Sequence, residues 1–276
     1  MKTILLPVEP SSVMASAFET AYLLAGRFGA RVDGIALRPS VIDFIAPDPV
    51  VVVLPQPQWN EEEASRTARS LFDDFIERRR VGRKDEGELA PTFNWSGAPP
   101  IDDAGLGALG RLYDATVLGR PGVGRSEPRM TTLESALFES GRPIIMAPPT
   151  PPTSFGTNVL IHWNASTETS RAVAAALPIL KKAERVTVLT VEGAPMQGPK
   201  ARELLGYLAA HGVRANEITS RASSRPGEAI LTEARRLGCD LLVKGAYTQS
   251  RLRQMIFGGA TNHILQSAEL PVLFAH

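Results

Sequence analysis

The sequence predicts an α/β protein of two tandem, doubly wound, five-stranded parallel-sheet domains. Three observations carry this. Strand-like and helix-like stretches alternate, the pattern recurs in each half, and a proline-rich segment, 148–153, separates the halves. Strands alternating with helices of about ten or more residues imply right-handed β-α-β units and a parallel sheet covered on both faces. The 276 residues suit two domains of ordinary size.

Each copy opens alike, since Ile4-Leu5-Leu6-Pro7-Val8-Glu9-Pro10-Ser11 can be laid on Val159-Leu160-Ile161-His162-Trp163-Asn164-Ala165-Ser166. Helices over 12–28 and 166–180 follow. In the second, Ala172, Val173, Ala176, Leu177 and Leu180 recur at helical steps. The runs 31–37 and 185–191 supply second strands. Asp114-x-x-Val117-x-Gly119 is spaced like Asp240-x-x-Val243-x-Gly245, a buried strand ending in glycine. Each copy closes with a helix and a short apolar strand opened by proline, 143–147 and 271–275. Exposed edges on such strands favour pairing with another copy. The segment 148–153 reads as a stiff linker, which sets domains at residues 1–149 and 154–276. Copy one carries an insertion at 39–59, in which 50–54 reads either as an edge strand or as a hydrophobic arm.

Composition narrows the function. Apolar residues are 43% and charged residues 21% of the chain, as in a folded globular protein. A net charge of +1 supplies no global field for nucleic acid or an anionic membrane, so any anion site must be local. Cys239 is the only cysteine, which excludes an internal disulfide and a Cys-rich zinc site. The apolar run at 4–8 is too short for a signal-peptide core or a membrane span, and a cytoplasmic protein is expected.

In open α/β sheets the ligand crevice lies beyond the carboxyl ends of the strands, where strand order reverses. The informative residues therefore follow strands one and four. After strand four of copy two come Lys244-Gly245-Ala246-Tyr247-Thr248, then Arg251 and Arg253, then Phe257-Gly258-Gly259-Ala260-Thr261-Asn262. Gly258 and Gly259 precede a helix-like stretch, 261–267, so their backbone N–H groups can point at a phosphate. Small side chains permit that approach.

This stretch resembles the universal stress protein family, whose nucleotide-binding members carry Gly-x2-Gly-x9-Gly-Ser/Thr after strand four. The resemblance covers both copies and is strongest from Leu231 onward. It implies that Gly245, Gly258, Gly259 and Ala260 line the phosphates and ribose of ATP or another adenine nucleotide, which a magnesium ion can accompany. It also implies that Thr190 and Val191 flank the adenine, and that Asn164 stands where binding members have aspartate. Thr248 replaces the motif's second glycine and Gly259 its Ser/Thr, although Thr261 lies two residues on. Lys244, with the nearby arginines, can supply phosphate contacts in partial compensation. Copy one keeps Gly119 and Gly122 but has Thr132 and Leu133 at the motif's end, and Glu9 and Pro10 after its first strand. It reads as mainly a structural partner, and the family implies that the two copies pack as an internal pseudo-dimer. Whether whole chains form a homodimer stays open.

Two other motifs fail on context. Gly119-x4-Gly124-Arg125-Ser126 lacks the P-loop lysine and is followed by Glu127-Pro128 rather than by a helix. Gly105-x-Gly107-x-x-Gly110 falls inside the third helix, with Asp102 or Asp103 at its start, and reads as packing. His162, His211, His263 and His276 show no metal-ligand spacing, and His162 on strand one reads as a packed side chain. The functional expectation is a non-enzymatic stress-response protein binding an adenine nucleotide in copy two. The alternatives are an interaction module with a vestigial crevice and, third, a slow ATP hydrolase.

Overall fold

A computed structural model describes residues 1–38, 60–81, 90–124, 127–192, 198–221, 225–246 and 259–276. The insertion at 39–59, Arg125 and Ser126, and Thr248, Arg251, Arg253 and Gly258 lie outside the described residues. The first half runs β1 (Thr3–Val8), α1 (Met14–Gly26), β2 (Arg31–Ala36), α2 (Glu61–Arg79), β3 (Thr92–Trp95), α3 (Asp103–Gly110), β4 (Ala115–Gly119), α4 (Met130–Glu139) and β5 (Ile144–Ala147). The second runs β6 (Asn158–His162), α5 (Thr167–Leu180), β7 (Arg185–Val191), α6 (Ala201–Ala210), β8 (Asn216–Ser220), α7 (Pro226–Arg236), β9 (Leu241–Gly245), α8 (Ala260–Ser267) and β10 (Val272–Ala275).

All ten strands form one sheet in the order β3-β2-β1-β4-β5-β10-β9-β6-β7-β8. Within each half the neighbours are parallel, as β-α-β connections require. At the centre β5 and β10 run antiparallel, with Leu273 opposite Ile145. The two proline-opened strands therefore meet each other, and five strands on one side continue into five on the other.

Alternation along the strands feeds two apolar layers. Ile4, Leu6, Val8, Val159 and Ile161 face α1, α2, α5 and α6, while Leu5, Leu160 and Leu242 face α3, α4, α7 and α8. Central strands buried on both faces explain the nearly continuous apolar runs. The repeated Asp-x-x-Val-x-Gly also has a physical cause. Asp114, just before β4, accepts from the backbone N–H groups of Lys2 (2.5 Å) and Thr3 (3.1 Å) at the start of β1. Asp240, just before β9, does the same for Thr157 (3.1 Å) and Asn158 (2.8 Å) at β6. In each half one carboxylate ties the fourth strand to the first. The Gly105-Leu106-Gly107 run lies in α3, where a Cβ on Gly107 would stand 2.8 Å from Glu139 Cβ of α4. Helix packing, not a dinucleotide turn, explains those glycines.

Candidate functional site

Strand order reverses between β1 and β4 in the first half and between β6 and β9 in the second, so the two crevices open at the carboxyl ends of those pairs.

In the second half, the chain leaves β6 through Trp163 and Asn164. Asn164 Oδ1 accepts from Ser166 N (3.2 Å) and Thr169 Oγ1 (2.5 Å), and Ser166 Oγ accepts from Thr169 N (3.2 Å). The predicted binding residue is thus committed through its carbonyl to the start of α5. Ala165 between them has φ 60°, the left-handed region that ordinary residues seldom occupy. The α5 terminus rests on Gly245, where a Cβ would lie 2.4 Å from Thr169 N. The motif's first glycine is required by this packing before any ligand is considered. Thr190 and Val191 end β7 beside β6; both are buried, and Thr190 Oγ1 lies 3.1 Å from Thr219 Oγ1 of β8.

Lys244 points inward. Only 4% exposed, it donates through Nζ to Gly245 O (2.7 Å) and to Thr261 Oγ1 (2.8 Å) in the first turn of α8. Burial pulls its pKa down to about 8. On the neighbouring strand His162 is 7% exposed, and its Nδ1 is buried without a hydrogen-bond partner. Burial first, and the Lys244 charge second, push the His162 pKa down to about 3, so the ring is neutral at ordinary pH. Gly259 leads α8 as an N-cap with no side-chain bond, followed by Ala260 and Thr261. The crevice thus brings together Asn164, Lys244, Gly245, Gly259, Ala260 and Thr261, with Thr190 and Val191 on the adjoining strand. The spacing alone did not show that Lys244 turns beneath α8.

The first-half crevice is built differently. Arg129, the residue before α4, donates through Nη2 to Asp103 Oδ1 (2.8 Å) and lies 3.7 Å from Glu9 Oε2. Asp103 also accepts from Thr131 Oγ1 and Thr132 Oγ1, both at 2.7 Å. Ser12 Oγ is bonded to the Glu127 carboxylate at 2.8 Å. Burial raises the Glu9 pKa, with the Arg129 charge opposing. What remains between Glu9, Ser11, Gly119 and Arg129 is a cavity of about 10 Å³, room for one water. Sequence reasoning missed this network because its members come from separate segments; an arginine at a helix N-terminus, where the macrodipole disfavours it, was the available signal.

Among the described residues, no three or more His, Cys, Asp or Glu side chains gather as a metal site. No described helix is long and apolar enough to cross a membrane.

Comparison with known proteins agrees with this architecture. Residues 157–276 match the model of the universal stress protein family. A universal stress protein from Archaeoglobus fulgidus DSM 4304 superposes with a TM-score of 0.73 at 14% identity, covering 99% of this chain and 97% of that one. A putative universal stress protein from Pseudomonas aeruginosa UCBPP-PA14 gives a TM-score of 0.56 at 15% identity, covering 100% and 93%. The stress response protein NhaX of Bacillus subtilis (strain 168) is 35% identical over 48 residues, which span 17% of this chain and only 29% of that protein. Residues 157–276 are therefore a domain of the universal stress protein family, and the chain as a whole shares the fold of the Archaeoglobus protein.

Proposed function

We propose that the chain is a stress-response protein that binds ATP or another adenine nucleotide in its second-half crevice. The observation that best supports this is the start of α8. A glycine-led first turn with no side-chain cap lies at the carboxyl ends of β6 and β9, where backbone N–H groups and the helix dipole favour phosphate. Gly259, Ala260 and Thr261 would hold the phosphates, and Gly245 lets the chain pass close by. Thr190 and Val191, ending β7, would flank the base. A magnesium ion arriving with the nucleotide would be held by phosphate oxygens and water rather than by a carboxylate cluster. The reading is of a binding protein rather than an enzyme, because among the described residues Lys244 and His162, the basic groups on β9 and β6 at the crevice, are buried and not placed as an exposed general base.

Gly259→Asp tests this cleanly. Gly259 has φ −64° and ψ 162°, which any residue adopts, and aspartate is a good N-cap, so the variant should fold with stability unchanged or raised by about 0.5 kcal/mol. Its carboxylate would occupy the place of the phosphate. The wild-type chain should gain thermal stability with millimolar ATP, and the variant should not. A wild-type chain that shows no shift and releases no nucleotide on extraction would instead be an interaction module with a vestigial crevice.

A further inference from the structure

We propose that Lys244 is the buried counter-charge of an anion site at the start of α8, so that a phosphate-bearing ligand binds there together with a proton. This rests on the nucleotide reading above and adds what the site recognises, the anionic phosphate more than the nucleoside.

Among the described residues the geometry leaves this cation without an acid against it. Nζ meets Gly245 O and Thr261 Oγ1, a carbonyl and a hydroxyl. From β6 it is faced by His162, whose Nδ1 has no partner, and on β10 Phe274 stands opposite it in register. His276, beyond β10, bonds Ala246 O, and His263 follows Thr261 on α8. Glu228 at the start of α7 is exposed, and Glu168 of α5 lies across the sheet, its backbone against Gly245. The residues joining β9 to α8 include Arg251 and Arg253 but no Asp or Glu.

A buried ammonium beside a helix N-terminus is opposed twice, by desolvation and by the positive end of the dipole. Both penalties fall when an anion arrives. A bound phosphate favours the protonated amine, so a neutral Lys244 takes up one proton from solvent as the ligand enters, and no bond to the ligand is made or broken. The depressed Lys244 pKa, about 8, places this linkage at mildly alkaline pH.

Isothermal titration of the full chain with ATP, AMP and adenosine, in buffers of differing ionisation heat, tests the proposal. Near pH 8 ATP binding should consume protons, and its affinity should fall about tenfold between pH 7 and pH 9.5, while adenosine changes little. Lys244→Met, an apolar side chain of similar length, should weaken ATP about tenfold at pH 7, abolish proton uptake and spare adenosine. ATP binding independent of pH without proton uptake, or unaltered in Lys244→Met, overturns this proposal and leaves the nucleotide reading standing. A wild-type chain that does not bind ATP overturns both. The wild-type pH profile decides the matter even if the variant fails to fold.

Discussion

The two crevices occupy equivalent places on one sheet and differ in how their charges are balanced. In the first half Arg129 reaches Asp103 and Glu9, and the space left between the strand ends holds about one water, with a volume near 10 Å³. In the second half Lys244 is buried with no carboxylate against it among the described residues, beneath a helix start that no side chain caps. The same scaffold can therefore hold a crevice whose arginine is paired with carboxyl groups or one whose lysine meets only a carbonyl and a hydroxyl. The choice lies in a few side chains at strand ends, not in the fold.

The largest expected effect breaks the second half. A Cβ at Gly245 would stand 2.4 Å from Thr169 N and 2.6 Å from Glu168 C, backbone atoms that move only with α5. Gly245→Ala should cost about 3 kcal/mol in urea denaturation. At the matching Gly119 the obstacles are side chains, Val13 2.5 Å and Pro128 3.0 Å away, which give way more readily than backbone, so Gly119→Ala should cost only about 1 kcal/mol. Equal losses would mean that the two strand ends are packed alike.

Next, Arg129→Ala should open the first crevice and destabilise the chain by about 2 kcal/mol, by leaving Asp103 and Glu9 part-buried without their cation. Burial raises the Glu9 pKa and the Arg129 charge opposes it, so removing the arginine raises it further, and the loss should shrink as pH falls from 8. A pH-independent loss would remove Glu9 from the network's electrostatics.

The mildest test concerns His162. Its folded pKa lies near 3, so the unfolded chain binds the extra proton between that value and the unperturbed 6.5. Stability should therefore fall on acidification, by about 1 kcal/mol for each pH unit below 6. His162→Phe should flatten that slope in denaturation curves collected from pH 7 to pH 4.5. An unchanged slope would assign the acid sensitivity elsewhere.

Periodicity and the repeat made the scaffold legible. Arg185–Val191 is a strand over the span the sequence predicts, and the proline-opened segments became β5 and β10, paired with each other. The spaced Asp114 and Asp240 signalled a constraint whose nature emerged only with β1 and β6 beside them. The sites were less legible because their chemistry depends on direction and distance. Lys244 reads along the chain as a phosphate donor among arginines, yet strand alternation turns it toward α8. Asn164 reads as a ligand, yet its carbonyl serves the α5 cap. Arg129, Glu9 and Asp103 carry no common spacing at all; only the sheet brings them together.

The two halves that pair through β5 and β10 are also covalently joined, by the segment between β5 and β6, and this has an evolutionary consequence. In a dimer of identical subunits every substitution appears twice, so a residue that plugs one binding site plugs its mate. Fusing the partners into one polypeptide lifts that constraint and makes association independent of protein concentration. Arg129 could close one site without a counterpart in the other, leaving the second free to drift toward its own ligand under separate selection.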